Sequence, residues 1–233
     1  ATFNAVFNGY NNTKVNRDAE NEKVFSMELG YGSRGEKFAA NINLYRTHWK
    51  DRTFTRNVRA QEAGAEDYTA NLLGVDALHQ GVEFDFTYKH SDKLNFTGML
   101  SLGDWKWDND LVDVPVFDEN QSQVDTISLP IDGLRVSDAA QTTAALGMLY
   151  KFWDKTSVTL DYNYFTDLYA RIDVLNYANA ETKPEDSWKA PSYNTMDFSL
   201  RHGFNLGEFD TTVTFRVNNL FDTEYVADAI DAS

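Results

Sequence analysis

The chain has 233 residues and a formal net charge of −15. This charge argues against nucleic acid as a partner, because phosphate binding needs clustered lysine and arginine. The chain contains no cysteine, so disulfide frameworks and thiolate metal sites are excluded. It also lacks an apolar run of about 18 residues, which is the length that a membrane-spanning helix requires.

Apolar and polar side chains alternate along most of the chain, which is the pattern of strands with one apolar face. The alternation is clear at 25–31, 38–45, 82–88, 159–164, 196–201 and 212–218. It predicts nine strands, at about 1–10, 22–32, 37–50, 79–90, 93–107, 136–152, 156–166, 192–203 and 209–227. Several of these segments are longer than the roughly 5–6 residues of an ordinary soluble strand.

The connections alternate between short and long. Short turns are predicted at 33–36, 91–93, 153–155 and 205–208, and long polar connections at 11–21, 51–78, 108–135 and 167–191. In an up-and-down barrel this alternation places all short turns on one rim and all long loops on the other, as in outer-membrane barrels. A soluble sandwich with Greek-key connections has no reason to alternate in this way.

Aromatic residues, 14% of the chain, favour the same interpretation. Tyr150, Phe152 and Trp153 flank a short turn, and Trp49, Trp105 and Trp107 lie where strands reach long connections. They are expected to form the two aromatic girdles of a membrane barrel; the alternative is that they are core aromatics of a soluble β protein. The predicted fold class is therefore all-β, a transmembrane antiparallel up-and-down β-barrel.

Nine strands do not make a complete barrel, because single-chain bacterial barrels have an even number of strands. An open sheet edge is also not tolerated in lipid, where each unpaired backbone group costs several kcal/mol. The polar strand faces are expected to line the lumen or contact whatever fills it. They carry Glu83, Asp85, Asp161, Asp197, Arg201 and Arg216.

Residues 216–226 read RVNNLFDTEYV and resemble the C-terminal signature of TonB-dependent outer-membrane receptors, in which an alternating strand runs into N-L-F-D-x-x-Y. Three other segments are similar to the same barrels: NEKVFSMELGYG at 21–32, NLYRTHWKDR at 43–52, and NLLGVD at 71–76 with GVE at 81–83. Each piece alone is weak, but as a set the resemblance covers nearly the whole chain.

The resemblance implies a 22-stranded barrel in the outer membrane of a Gram-negative bacterium, plugged by an N-terminal domain and energised through TonB. Residues 1–233 would be its C-terminal portion, with the plug domain and the last strand absent. The implied function is active uptake of a scarce nutrient such as a ferric siderophore or a vitamin. The expected partners are outer-membrane lipid and lipopolysaccharide, a small-molecule ligand, and the TonB complex through the absent N-terminal part.

The candidate ligand-binding residues are Arg52, Arg56, Arg59 and Trp49. Arginines on the extracellular rim, here beside Phe54, are suited to capture an anionic ligand such as a ferric chelate. The alternative is a solvated loop, or contacts with anionic lipopolysaccharide.

No cofactor, catalytic residue or metal site is predicted. The connection at 108–125 is rich in carboxylates, and a Ca²⁺ site is conceivable there, but the spacing of a calcium-binding loop is missing and a charged loop is favoured. It carries Asp108, Asp110, Asp113, Asp118, Glu119 and Asp125. Two further classes stay open: a smaller self-contained outer-membrane barrel with a structural or adhesin role, and a barrel enzyme, for which no constellation at the rim is evident.

Overall fold

Backbone pairing follows the order of the chain. A computed structural model describes residues 6–7, 13–59, 67–178 and 185–231. Their elements are β1 (Lys23–Arg34), β2 (Phe38–Arg59), β3 (Asp67–Lys89), β4 (Leu94–Trp107), β5 (Leu111–Phe117), β6 (Gln123–Leu129), β7 (Thr142–Trp153), β8 (Thr156–Thr166), β9 (Arg171–Ile172), α1 (Val174–Tyr177), β10 (Tyr193–Leu206), β11 (Phe209–Val217) and β12 (Ile230–Asp231). None of the described residues belongs to a helix that is long and apolar enough to cross a bilayer.

Eight strands form one continuous antiparallel wall in the order β1-β2-β3-β4-β7-β8-β10-β11. The β5–β6 hairpin extends this sheet beside the far end of β3, and β12 pairs with β9 in a separate small sheet. The predicted all-β, antiparallel, up-and-down arrangement is confirmed. The ninth predicted strand, at 1–10, falls largely outside the described residues; of it, Phe7 forms an isolated bridge with Val15.

The strand register assigns every side chain of the wall to one of two faces, because residues directly opposite each other share a face. The apolar face, called the outer face here, carries Phe25, Met27, Leu29, Ile42, Leu44, Phe84, Leu100, Leu146, Leu160, Phe198 and Phe215. The polar face, called the inner face, carries Glu28, Asn41, Asn43, Glu83, Asp85, Ser101, Asp161, Asn163, Asp197, Arg201 and Arg216. The six predicted lumen residues therefore share one face.

The buried apolar core lies beside the part of β2 after Trp49 and the part of β3 before Ala77, and not against the rest of the wall. Leu72, Val75, Leu111 and Leu129 belong to a core cluster in the extensions of β3 and the long connections, whereas Leu29 on the outer face is 71% exposed. A water-soluble protein would bury its apolar sheet face. An apolar outer face that no described residue covers is what a lipid environment requires.

The prediction of a long connection at 51–78 is wrong, because β2 and β3 continue through most of it. Each strand has a bulge near the same level, marked by the positive φ angles of Asp51 (56°) and Gly74 (69°). The Asp51 backbone N–H donates to the Asp76 carboxylate at 2.9 Å. Residues 52–59 of β2 are mostly polar, with Phe54 and Val58 as their apolar residues. The apolar alternation that identifies a lipid-facing strand is therefore missing there.

Three other predicted boundaries also change. The connection at 108–135 contains the β5–β6 hairpin, whose apolar residues join the core cluster. The strand predicted at 136–152 begins only at Thr142, because residues 134–141 run beside the end of β4 with isolated backbone hydrogen bonds. The connection at 167–191 holds β9 and the single-turn helix α1.

The strand predicted at 209–227 ends at Val217 because the signature that follows forms a compact turn. Asn219 has a φ of 51°, a conformation that asparagine tolerates better than most residues. Its backbone N–H donates to Asp197 at 2.8 Å, and its side chain bonds the backbone N–H and C=O of Thr223, each at 3.0 Å. Tyr225 then stacks on Tyr193 with ring centroids 4.2 Å apart.

Replacing Asn219 with alanine should loosen this turn. The variant loses two hydrogen bonds to Thr223 and places alanine, which tolerates the left-handed region less well than asparagine, at this position, for a combined cost of about 1–2 kcal/mol. Hydrogen exchange of residues 218–226 in the purified full-length protein should become about 5–30-fold faster. Asn218→Ala is the matched control, because the Asn218 side chain forms no hydrogen bond with any residue that the structure describes. Equal effects of the two changes would contradict this role.

Candidate ligand site on the inner face

The rim residues predicted from the sequence come together on the inner side of the wall. The opposed bulges keep Trp49, Arg52, Phe54 and Arg56 on one face of β2, continuous with the inner face below. The Arg52 guanidinium carbon lies 4.3 Å from the Trp49 ring centroid, 4.7 Å from Phe54 and 5.7 Å from Trp107. Arg56 lies over the Phe54 ring at 5.1 Å. We call Trp49, Arg52, Phe54 and Arg56 the arginine–aromatic ladder.

Arg52 is the most constrained charge of the ladder. Arg52 is half-buried, and this burial is the main reason why the pKa of its guanidinium is lowered. The charge of Arg56 lowers this pKa further, and the charge of Glu22 opposes the shift. Arginine nonetheless stays protonated, since its ordinary pKa lies far above neutrality. Among the residues that the structure describes, none accepts a hydrogen bond from the Arg52 side chain or forms an ion pair with it. The aromatic rings therefore hold a planar cation in place while its donors stay available to a ligand.

A second group of aromatic residues lies directly below the ladder. Trp105 donates its indole N–H to the Tyr45 hydroxyl at 2.8 Å, and His79 lies between Trp105 (5.4 Å) and Trp49 (6.5 Å), measured between ring centroids. Gly81 makes this close approach possible, because a β-carbon there would lie 2.6 Å from the Tyr45 hydroxyl. A cavity of about 250 Å³ opens beside them, lined by Glu28, Asn43, Tyr45, His79, Glu83 and Trp105.

This arrangement corrects the predicted aromatic girdle on the side of the long connections. Trp49 pairs with Ala77 and Trp105 with His79, which places these tryptophans and Trp107 on the inner face and not toward lipid. Their position was visible in the sequence, since Trp49 and Trp105 have the same parity as the polar residues of their strands. Tyr45 and His79 were missed as site residues because alternation gives the face of a residue but not its neighbours.

Of the other candidates, Arg59 ends β2 opposite Asp67, but its side chain lies outside the described part of the structure. The acidic residues of the 108–125 connection are dispersed over the residues before β5, the strands β5 and β6, and the turn between them. Asp108 lies 3.1 Å from His48, Asp110 accepts from the Asp132 N–H at 2.8 Å, and Asp118 accepts from the Ser122 N–H at 2.7 Å. Across the described ranges, no group of three or more such side chains is arranged to hold a metal ion.

An antiparallel wall with an exposed apolar outer face and a charged inner face defines an outer-membrane β-barrel protein. Comparison with known proteins gives the family. A model of the family described as TonB dependent receptor-like, beta-barrel, matches residues 1–220, and the chain belongs to this family. The family consists of outer-membrane receptors of Gram-negative bacteria and not of enzymes. None of the curated protein sequences is significantly similar to the chain.

Solved structures of the same fold agree with the family. The copper transporter OprC superposes with a TM-score of 0.60 at 15% identity, over 92% of this chain and 28% of its own. The siderophore receptor PiuA from Acinetobacter baumannii superposes with a TM-score of 0.59 at 14% identity, over 96% of this chain and 28% of its own. The FrpB iron transporter from Neisseria meningitidis superposes with a TM-score of 0.55 at 14% identity, over 89% of this chain and 28% of its own. The chain thus spans little more than a quarter of the length of these relatives.

Proposed function

We propose that residues 1–233 form the C-terminal portion of the barrel of an active outer-membrane transporter, which takes up a scarce nutrient with energy delivered through TonB. In this proposal the plug domain and the last strand lie outside the chain. The nutrient is a ferric siderophore, a vitamin or a ligand of similar chemistry. Membership of the receptor family and the similarity to structures titled as iron, siderophore and copper transporters support it.

The observation that carries the proposal is the Arg52 side chain. A half-buried guanidinium held by aromatic faces, with no acceptor among the described residues, is a preorganised site for an anion. It points to the inner side of the wall, where a ligand travelling through a barrel must pass. We propose that Arg52, Arg56, Arg59 and Trp49 bind the ligand at the extracellular end, and that the cavity beside Tyr45 and Trp105 receives it next.

The proposed partners follow from the two faces of the wall. The outer face contacts lipid, and the exposed Arg46 lies on this face just beyond Leu44 toward the long connections, where lipopolysaccharide phosphates would surround the barrel. The TonB complex would be engaged through the absent N-terminal part. The alternative of a small self-contained barrel is disfavoured, because β1 and β11 are the two ends of the described wall and do not pair with each other.

The test is ligand binding and uptake by the full-length protein. Purified protein is titrated with ferric citrate, a ferric catecholate, cobalamin and a copper chelate, and cells carrying it take up the labelled form of any compound that binds. Saturable binding, with uptake that stops when TonB is deleted, is the expected result. Binding of none of these compounds, or uptake that is unaffected by TonB, would contradict the proposed function.

A further inference from the structure

A second cavity lies at the opposite end of the wall. It measures about 570 Å³ and opens on the inner face beside the short turns, and Lys93, Lys151, Lys155 and Arg201 supply its positive charge. We call it the basic cavity. Lys151, Ser157 and Arg201 are successive cross-strand neighbours on β7, β8 and β10. Two cationic residues therefore flank one small serine across two strand spacings, or about 10 Å.

Most of this positive charge has no partner in the wall. The side chains of Lys93, Lys151 and Arg201 form no hydrogen bond or ion pair with any residue that the structure describes. Two of the carboxylates that line the cavity are already engaged, since Asp92 pairs with Lys89 at 3.3 Å and Asp210 with Lys155 at 3.8 Å. Three unpaired cations thus face a single unpaired carboxylate, Asp154, in a chain whose net charge is −15.

The inner face farther from the short turns is predominantly acidic, with Arg216 as an exception. Glu28, Glu83, Asp85 and Asp161 lie on it, and none of them forms an ion pair within the described residues. An anionic group in the lumen is therefore repelled from the middle of the wall and attracted to the basic cavity. Such a combination of attraction and repulsion fixes position along a surface as well as affinity.

We propose that the basic cavity docks an acidic stretch of the polypeptide that fills the barrel lumen. This inference rests on the proposed function only in placing the wall inside a large barrel, whose lumen is plugged when the barrel has about 22 strands. Covering Lys151 and Arg201 with protein while leaving them unpaired would be costly, so the covering segment must bring carboxylates. A lipid headgroup is disfavoured, because the cavity opens on the inner face and not on the lipid-facing one.

The experiment uses the full-length protein in detergent. Ser157→Cys places a thiol at the centre of the cavity, in a region of chain that has no cysteine of its own. Its reaction with an uncharged polyethylene-glycol maleimide is timed, and a photoactivatable cross-linker on the same thiol identifies its neighbour by mass spectrometry. The thiol should react slowly, and the cross-linked peptide should contain at least two aspartate or glutamate residues.

Charge reversal then tests the electrostatic cause. Lys151→Glu with Arg201→Glu should make the Ser157→Cys thiol react at least 10-fold faster, because the acidic segment is expelled. Arg34→Glu with Lys37→Glu, at another short turn, changes the net charge equally and should leave the rate unchanged. If the variant with the first pair of changes does not fold into a barrel, Lys151→Gln with Arg201→Gln replaces it. The reaction rate of the Ser157→Cys thiol should then increase by about 3-fold.

Three results would overturn the inference: a thiol that reacts as fast as an exposed one before any charge change, a cross-link to a peptide without acidic residues, or a cross-link to lipid. The ligand titrations are repeated on the same preparation. Docking that persists in a protein that binds none of the ligands would reject the proposed function alone, and ligand binding without docking would reject this inference alone.

Discussion

Arg52→Gln is expected to weaken ligand binding by about 10–100-fold. The change removes a guanidinium whose donors have no acceptor among the described residues, and hydrogen bonds to charged groups contribute about 1.5–3 kcal/mol each. The glutamine side chain still fits between the Trp49 and Phe54 rings, so the wall should fold normally. Titration of the full-length protein with whichever ferric chelate or cobalamin it binds measures the effect as a change in Kd.

Two further variants separate the causes of this loss. Arg52→Lys keeps the charge but loses the planar fork, so it should recover only part of the affinity. Arg34→Gln removes an exposed arginine at the short-turn end of β1 and should leave Kd unchanged. An Arg52→Gln protein that binds with the original Kd would show that the ladder is structural. Equal losses in the Arg52→Gln and Arg34→Gln proteins would attribute the effect to overall charge.

The wall was predictable from the sequence because lipid imposes a strict pattern. Each spanning strand must be apolar on alternate residues, and a short turn must return it, so eight of the nine predicted strands overlap observed strands. The extracellular ends were less predictable. In water both faces of a strand tolerate polar residues, so Arg52 and Arg56 were predicted to lie in a loop when they belong to β2.

The candidate site was predicted in composition but not in geometry. Periodicity assigns Trp49 to the inner face, yet the two opposed bulges at Asp51 and Gly74 decide that Arg52 and Phe54 share this face. A bulge depends on the register between strands that are distant in sequence. The turn at Asn219 shows the same limit, because its signature was recognisable while the left-handed residue that ends β11 was not.

Leu100→Arg is expected to destabilise the protein in bilayers by about 2–4 kcal/mol, the cost of arginine on the lipid face near the bilayer midplane. Leu100 lies midway along the spanning part of β4, beside Phe84 and Ala144 on the outer face. Urea unfolding of the full-length protein in phosphatidylcholine vesicles, followed by tryptophan fluorescence and circular dichroism, measures the free energy of unfolding.

Two arginine controls show whether lipid is the cause. Ser101→Arg changes the neighbouring residue, which lies on the inner face opposite Glu83. There the charge faces a carboxylate and not lipid, so its cost should be below about 1 kcal/mol. Leu206 lies on the outer face at the short-turn end and is 65% exposed. Leu206→Arg should cost only about 0–1 kcal/mol, because the penalty for arginine decreases from the bilayer midplane toward the interface. Burial against protein would not produce this dependence on depth. Equal costs at positions 100 and 206 would therefore contradict the orientation of the wall in the membrane, and with it the path past Arg52 on which the proposed uptake depends.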